Sequence, residues 1–201
     1  MEHAALEREA LFMTIEGGKS ADQITAGRLY TVADIEGLPE GERAELIDGE
    51  MFMMASPTLT HQEILVWLSA KVWNYIAEHE GKCKVLPAPF AVYIANDERN
   101  YVEPDISVIC DKEKLDEKGC HGAPDWVIEI VSPSSRYMDY TRKLSLYEAA
   151  GVREYWIVDP IQGNVTVHDL EHNEEPELHS FSERVRAGIY EELFLDFSEL
   201  E

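Results

Sequence analysis

Residues 100–160 read NYVEPDISVICDKEKLDEKGCHGAPDWVIEIVSPSSRYMDYTRKLSLYEAAGVREYWIVDP. This stretch predicts a strand over Tyr101–Cys110, an almost wholly apolar strand over Trp126–Val131, a helix from about Tyr137 to Ala150, and a strand over Glu154–Val158. The apolar run is typical of a central strand that is covered on both faces. We therefore expect a mixed β-sheet flanked by helices, in an α/β or α+β fold.

An added N-terminal hairpin and a long helix are predicted ahead of this stretch. Arg43–Ile47 and Glu50–Met54 flank Asp48-Gly49, a dipeptide that favours a tight turn between two strands. Apolar residues recur at helical spacing from His61 to about Glu80, and Thr60 is placed to cap that helix. The hairpin would therefore precede the helix on which His61 lies.

The chain length of 201 residues suggests one domain. We assign that domain to residues 29–201 and treat residues 1–28 as an N-terminal extension. Lys84–Ile94 is predicted as a strand that its two prolines bend or place at an edge. Residues 170–180 are polar and predicted as a loop, and Arg184–Glu201 is predicted as an acidic, amphipathic tail.

The net charge of −23 limits the functions that the chain can have. Phosphate contacts need Lys and Arg, so this charge argues against a wide surface that grips nucleic acid. No run approaches the roughly 18 apolar residues of a membrane span, and Met1–Gly18 lacks the apolar segment of a signal peptide. The three cysteines, Cys83, Cys110 and Cys120, contain no CxxC pair, so we expect free thiols and a cytoplasmic protein.

Two acids stand out on neighbouring predicted strands. Glu129 lies inside the apolar run Trp126–Val131, where a buried carboxylate is costly unless it is paired or binds a metal. Asp105 follows Pro104, near the start of its strand. Two close carboxylates repel each other without a cation, so the pair implies either a metal such as Mg²⁺ or a cationic partner. The alternatives are a buried salt bridge for Glu129 and an ordinary strand-end aspartate for Asp105.

Lys143 lies on the apolar side of the predicted helix. At about 100° per residue from Tyr140, Lys143 falls near ~300°. The same spacing places four core-type residues between about 240° and 40°, namely Leu146, Ala150, Tyr147 and Leu144. A lysine on this side needs an acidic partner, unless it snorkels past the edge. Its ammonium could orient an attacking water or offset charge at phosphorus.

Three further residues are weaker candidates. Glu45 lies on the same face of the predicted hairpin as Ile47, where it would be a third acid or simply exposed. His61 opens the long helix and could contact a phosphate or the acids, although a helix N-terminus disfavours a charged histidine. Arg142 lies outside the apolar arc, where it would be solvated or would help to form a basic groove.

Five strings of this sequence resemble the Uma2 family, also called DUF820, of restriction-endonuclease-type proteins. They are AELIDGE (44–50), SPTLTH (56–61), PDISVI (104–109), WVIEIVSPSS (126–135) and DYTRKLSLYEAAGVREYWIVDP (139–160). The resemblance covers roughly residues 30–200 and is most specific from Ser132 to Pro160.

This resemblance implies a metal-dependent phosphodiesterase fold of the PD-(D/E)xK nuclease superfamily. Pro104-Asp105 would be the PD element and Glu129 the second acid. Val131 stands where the usual ExK motif has its lysine, so Lys143 would be a migrated lysine. By the same resemblance, the family's hairpin acid and its histidine after Ser-Pro correspond to Glu45 and His61.

Two functions of different classes follow. The first is an Mg²⁺- or Mn²⁺-dependent endonuclease in which Asp105, Glu129 and Lys143 are catalytic, and Asp105, Glu129 and Glu45 bind the metal. Its substrate would be nucleic acid, with DNA favoured, and a homodimer would suit the cutting of both strands. The second is a non-catalytic module on the same fold, which binds a basic protein partner through its acidic surface.

Overall fold

The computed structural model describes residues 27–95 and 97–200, so the predicted extension over residues 1–28 lies outside it except for the last two residues. The helices are α1 (Val32–Glu36), α2 (Leu59–Glu78) and α3 (Leu144–Ala150), with a π-helical segment at Met138–Lys143 and 3-10 turns at Lys112–Lys114 and Phe197–Leu200. The strands are β1 (Ala44–Ile47), β2 (Glu50–Met53), β3 (Lys84–Pro87), β4 (Val92–Tyr93), β5 (Ile106–Ile109), β6 (Cys120–His121), β7 (Trp126–Ile130), β8 (Glu154–Asp159), β9 (Asn164–Asp169), β10 (Glu177–Ser180), β11 (Arg184–Arg186) and β12 (Phe194–Asp196). None of these described helices is both long enough and apolar enough to cross a membrane.

A six-stranded mixed sheet organises the fold. Its strand order is β10-β9-β8-β7-β5-β3. β7 and β8 run parallel, whereas the other neighbouring strands pair antiparallel. A parallel pair needs a crossover connection, which the π-helical segment and α3 provide between β7 and β8. The predicted mixed sheet flanked by helices is therefore confirmed, and β7 lies in its middle.

Different helices cover the two faces of the sheet. Trp126, Ile128 and Ile130 belong to the core that is built with α2. Val127 and Val131 belong to the core on the α3 side. Because side chains alternate along a strand, Glu129 shares the α3 side with Val127 and Val131. The strand pattern thus aims Glu129 at the helix that carries the predicted lysine.

β1 and β2 form the predicted hairpin. Asp48 and Gly49 have φ values of 52° and 80°, and two positive φ values in succession are what a two-residue type I′ turn requires. The backbones of Leu46 and Tyr101 exchange two hydrogen bonds, of 2.7 and 2.8 Å, which dock β1 on the segment ahead of β5. The hairpin is thereby held beside the start of β5, near Asp105.

The predicted long helix is present, but it begins earlier than the sequence suggests. Thr58, not Thr60, is the N-cap of α2, since its side chain accepts a hydrogen bond from the N–H of His61 at 3.3 Å. The buried side chains of α2 are those at helical spacing in the sequence, namely Ile64, Leu65, Leu68, Val72 and Ile76.

Two predicted strands are shorter in the structure. Lys84–Ile94 is divided into β3 and β4, and β4 leaves the main sheet to pair with β6. The strand breaks at Pro87 and Pro89, because proline cannot donate a hydrogen bond to a neighbouring strand. Within Tyr101–Cys110, the main-sheet strand begins only after Pro104.

The C-terminal region contains more strand than predicted. The polar residues 170–180 include β10, an edge strand, and edge strands tolerate polar side chains because only one side is paired. The predicted tail Arg184–Glu201 contains the β11–β12 hairpin, and Val185, Leu195 and Phe197 are buried in the core with α2. The predicted loop is therefore present over residues 170–176 but not over 177–180, and the prediction of a tail is wrong.

Glu154, buried on β8, fixes this C-terminal region to the sheet. Its carboxylate accepts hydrogen bonds from the N–H groups of Gly188 and Ile189, both at 2.8 Å, and from Nε1 of Trp156 at 2.6 Å. A buried carboxylate with three donors is well satisfied, so Glu154 has a structural role.

The expectation of three free thiols is also wrong. Cys83 and Cys110 form a disulfide, because the register that pairs Lys84 with Ile109 places the two cysteines opposite each other, directly before β3 and directly after β5. Cys120 is free and buried.

Candidate active site

Asp105 and Glu129 face each other across β5 and β7. The register that pairs Ile106 with Ile128 makes them the next opposed positions. The N–H of Asp105 donates to Oε2 of Glu129 at 3.4 Å, and the N–H of Ile130 donates to Oδ2 of Asp105 at 2.7 Å. The structure thus brings together the two acids that the sequence indicates.

Lys143 points toward these two acids from the helical layer that covers this face of the sheet. Its Nζ lies 2.9 Å from Oε1 of Glu129 and 2.9 Å from Oε2 of Glu45, and its side chain is only 6% exposed. Lys143 is the last residue of the π-helical segment, a helical form that occurs often at functional sites. The lysine therefore faces inward, where the helical spacing places it.

Glu45 reaches the cluster from the β1–β2 hairpin. Its Oε1 accepts a hydrogen bond from the N–H of Glu103 at 3.1 Å, while its Oε2 pairs with Lys143. Glu103 is in turn paired with Arg43 and accepts a hydrogen bond from the hydroxyl of Tyr101 at 2.8 Å. Glu45 is buried, which excludes the alternative of a simply exposed hairpin carboxylate.

His61 contacts Asp105 from the first turn of α2. Its Nε2 lies 3.1 Å from Oδ2 of Asp105. Burial alone would lower the pKa of His61, but the hydrogen bond and the charge of Asp105 outweigh it and raise that pKa. Asp105 therefore favours the protonated form of this histidine.

The cluster carries an excess of negative charge. Asp139, which is 1% exposed, lies 3.9 Å from Nζ of Lys143 and adds a fourth acid to Glu45, Asp105 and Glu129. Burial lowers the pKa of Lys143, but the carboxylates outweigh it and hold that pKa well above its ordinary value. Burial raises the pKa of Glu129 well above its usual range, and that of Asp139 to about 6, although Lys143 opposes both shifts. Such a site attracts a further cation.

Arg142 lies outside this cluster. It points to the hairpin, where its guanidinium is 3.3 Å from Glu50 and 4.0 Å from Asp48. Arg136, another basic residue of this region, pairs with the buried carboxylate of Asp159. Both arginines are thus paired with acids of this chain.

Sequence reasoning missed two members of the cluster, Asp139 and Tyr147. The hydroxyl of Tyr147 donates to Oε1 of Glu129 at 2.6 Å. The helical spacing could have identified Asp139, which falls near ~260°, between Leu146 and Ala150. An aspartate near the start of a helix is also explained by the helix dipole, so its position on the apolar side does not by itself indicate a site residue.

The donor set fits a hard divalent cation of the Mg²⁺ type. Such an ion takes one or two carboxylates and completes its coordination with waters and substrate phosphate. Asp105 and Glu129 supply two facing carboxylates, and the excess negative charge favours a cation there. Within residues 27–95 and 97–200, no group of three or more His, Cys, Asp or Glu side chains is arranged to hold an ion. In this arrangement Glu45 is turned toward Lys143, so Asp105 and Glu129 are the carboxylates placed for the ion, and Glu45 would join them by turning away from the lysine.

The mixed sheet, with two opposed acids on adjacent strands and a buried lysine on the crossover helix, defines a nuclease-like α+β protein. A similar fold occurs in the crystal structure of a "putative nuclease belonging to DUF820" from Anabaena variabilis ATCC 29413, with a TM-score of 0.69, 23% sequence identity, and coverage of 85% of this chain and 96% of that one. The chain belongs to the Uma2 family, described as "Putative restriction endonuclease", whose model matches residues 31–200.

A curated protein from Synechocystis sp., the "Uncharacterized protein slr1290", is 31% identical over 106 residues. That match covers 53% of this chain and 54% of the relative, so it spans about half the length of each protein. The resemblance that the motifs indicate is confirmed by the family match.

Proposed function

We propose that this protein hydrolyses phosphodiester bonds in nucleic acid, with DNA as its substrate and Mg²⁺ or Mn²⁺ as its cofactor. One observation carries the proposal: Asp105, directly before β5, lies opposite Glu129 on β7, and the Lys143 ammonium lies 2.9 Å from Glu129. Membership of the Uma2 family supports it.

Asp105 and Glu129 would hold the ion, with Glu45 as a third acid. When bound, the ion would supply Lewis-acid stabilisation of a phosphoryl oxygen and lower the pKa of a water. His61 orients the carboxylate of Asp105, and Tyr147 orients that of Glu129, through the contacts described above.

Lys143 supplies positive charge at a fixed position. Its burial makes that charge act through a medium of low polarity, where it is worth more than in water. In the proposed reaction the ammonium orients the attacking water and offsets the negative charge that develops at phosphorus.

Cleavage of supercoiled plasmid and single-stranded DNA, with Mg²⁺ or Mn²⁺ and at several salt concentrations, tests the proposal. Asp105→Asn and Glu129→Gln each remove a carboxylate charge with little change of shape, and we expect each to slow cleavage by about a hundredfold or more. Glu113→Gln, at an exposed position outside the cluster, is the matched control and should cleave like the wild type. Cleavage that persists unchanged in both site variants would contradict the proposal.

A homodimer is proposed for cleavage of duplex DNA, since two copies of the site would serve the two strands. Sedimentation of the protein with and without a duplex oligonucleotide measures its oligomeric state. A monomer in both samples that still makes double-strand breaks would contradict it.

A second candidate function is binding of a basic protein partner without catalysis. The net charge of −23 favours it, because it opposes phosphate binding and suits a positively charged surface. Folded protein that cuts neither form of DNA at any salt concentration, yet binds a basic protein such as a histone, would favour this second function.

A further inference from the structure

Asp139 has a buried oxygen that no described residue satisfies. The residue is 1% exposed, and its Oδ2 lacks a hydrogen-bond partner within the described chain. Its backbone is fixed, because its N–H donates to the carbonyl of Ser135 at 3.0 Å and its own carbonyl accepts a hydrogen bond from the hydroxyl of Tyr155 at 2.9 Å. An unpaired buried carboxylate oxygen is costly, so its position needs an explanation.

Asp139 lies beside Lys143, whose ammonium has one hydrogen that neither Glu129 nor Glu45 accepts. An ammonium has three N–H donors, and Glu129 and Glu45 each accept one at 2.9 Å. The third carboxylate at the ammonium is Asp139, whose Oδ1 lies 3.9 Å away, too far for a hydrogen bond. Donor and acceptor are four residues apart in a helical segment, and a shift of about one ångström would join them.

We propose that Asp139 is a positioning residue that takes over the Lys143 ammonium when Glu129 and Glu45 turn toward a bound divalent cation. The inference rests on the proposed function, in which these two glutamates and Asp105 hold the ion. Once their oxygens face the ion, Lys143 loses both of its present acceptors, and a buried charge without a partner is costly. Asp139 is the third described acid within 4.0 Å of Nζ, so it is the acceptor that remains for the ammonium.

This exchange of partners would keep the ammonium in place during the reaction. Without Asp139, the cation and Lys143 would compete for the same glutamate oxygens. The loss would then appear in the turnover step, and not in the binding of DNA.

The coupling free energy between Asp139 and Lys143 tests the inference, when it is measured with and without Mg²⁺. Urea unfolding is measured for four proteins, once in EDTA and once in saturating Mg²⁺: wild type, Asp139→Asn, Lys143→Met and the double variant. This double-mutant cycle gives the interaction free energy between Asp139 and Lys143 in each buffer. We expect the coupling in Mg²⁺ to be at least twice that in EDTA. Equal coupling in the two buffers would overturn the inference, since a merely structural contact does not respond to the ion.

Cleavage kinetics provide a second measurement that does not require the Lys143 variant to fold. Asp139→Asn should lower kcat about tenfold and leave KM within about twofold, whereas Asp139→Glu should restore most of the rate. Asp159→Asn is the matched control, because Asp159 is also a buried acid with a basic partner, Arg136, but lies outside the cluster. An equal loss in the control, or a rise in KM alone, would overturn the inference.

Failure of the proposed function would give a different pattern. If calorimetry detects no binding of Mg²⁺ or Mn²⁺ to the wild type and no cleavage occurs, the metal-dependent function is wrong, and the inference about Asp139 is overturned with it. If the ion binds and DNA is cut, but the coupling is the same in both buffers, only the inference is overturned.

Discussion

Neutralising Asp139 should stabilise the metal-free protein at neutral pH. Burial raises the pKa of Asp139 from 3.8 to about 6. A carboxyl that binds its proton more tightly in the folded state lowers the free energy of unfolding as the pH rises. This loss begins near pH 4, is complete above about pH 6, and amounts to about 3 kcal/mol, at roughly 1.4 kcal/mol per pKa unit. Asparagine has nearly the same shape and no charge, so Asp139→Asn should escape the loss.

The assay is urea unfolding in EDTA between pH 4 and pH 8, followed by the fluorescence of the four tryptophans. We expect the variant to match the wild type near pH 4 and to exceed it by about 3 kcal/mol at pH 7.5. Asp159→Asn is the opposite control, since Arg136 would lose the charged oxygen with which it pairs, and this loss should cost about 1–3 kcal/mol at neutral pH. An Asp139→Asn protein that is less stable than wild type at pH 7.5, or a difference that does not change with pH, would refute the reasoning.

Three further changes have outcomes that the structure determines. Lys143→Met leaves buried carboxylates without their cation and should lower the free energy of unfolding by about 3–5 kcal/mol; an equally stable variant would contradict the ion-pair geometry. Glu154→Gln should cost about 1–3 kcal/mol in urea unfolding, because one of its N–H donors loses its acceptor, while cleavage of DNA by the folded protein stays unchanged. Reduction of the Cys83–Cys110 disulfide, which spans 27 residues, should lower stability by about 3–4 kcal/mol; a Cys83→Ser protein that does not respond to reductant is the control.

Local patterns predicted much of the architecture. Asp48-Gly49 could only be a tight turn between short strands, and the apolar run around Glu129 needed cover on both faces. Helical spacing placed Lys143 inward without knowledge of its partners. These features depend on a few neighbouring residues, so the sequence alone was sufficient for them.

Other features depend on contacts between distant segments, and the sequence did not reveal them. β10 is polar because it is an edge strand, and residues 184–200 look like a tail until Val185 and Phe197 are seen in the core. The pairing of Cys83 with Cys110 follows from the β3–β5 register, which no local pattern specifies. Thr58 and Thr60 are equally good caps by residue type, and only the helix geometry chooses between them.

The anchoring of the C-terminal region by Glu154 has a consequence for the order of events during synthesis on the ribosome. The core with α2 is completed by Val185, Leu195 and Phe197, and β7 lines one side of that core. A nascent chain that has reached only β9 therefore leaves apolar surface of β7 and α2 open to solvent. A product that ends before residue 184 would therefore be a target for chaperones and proteases.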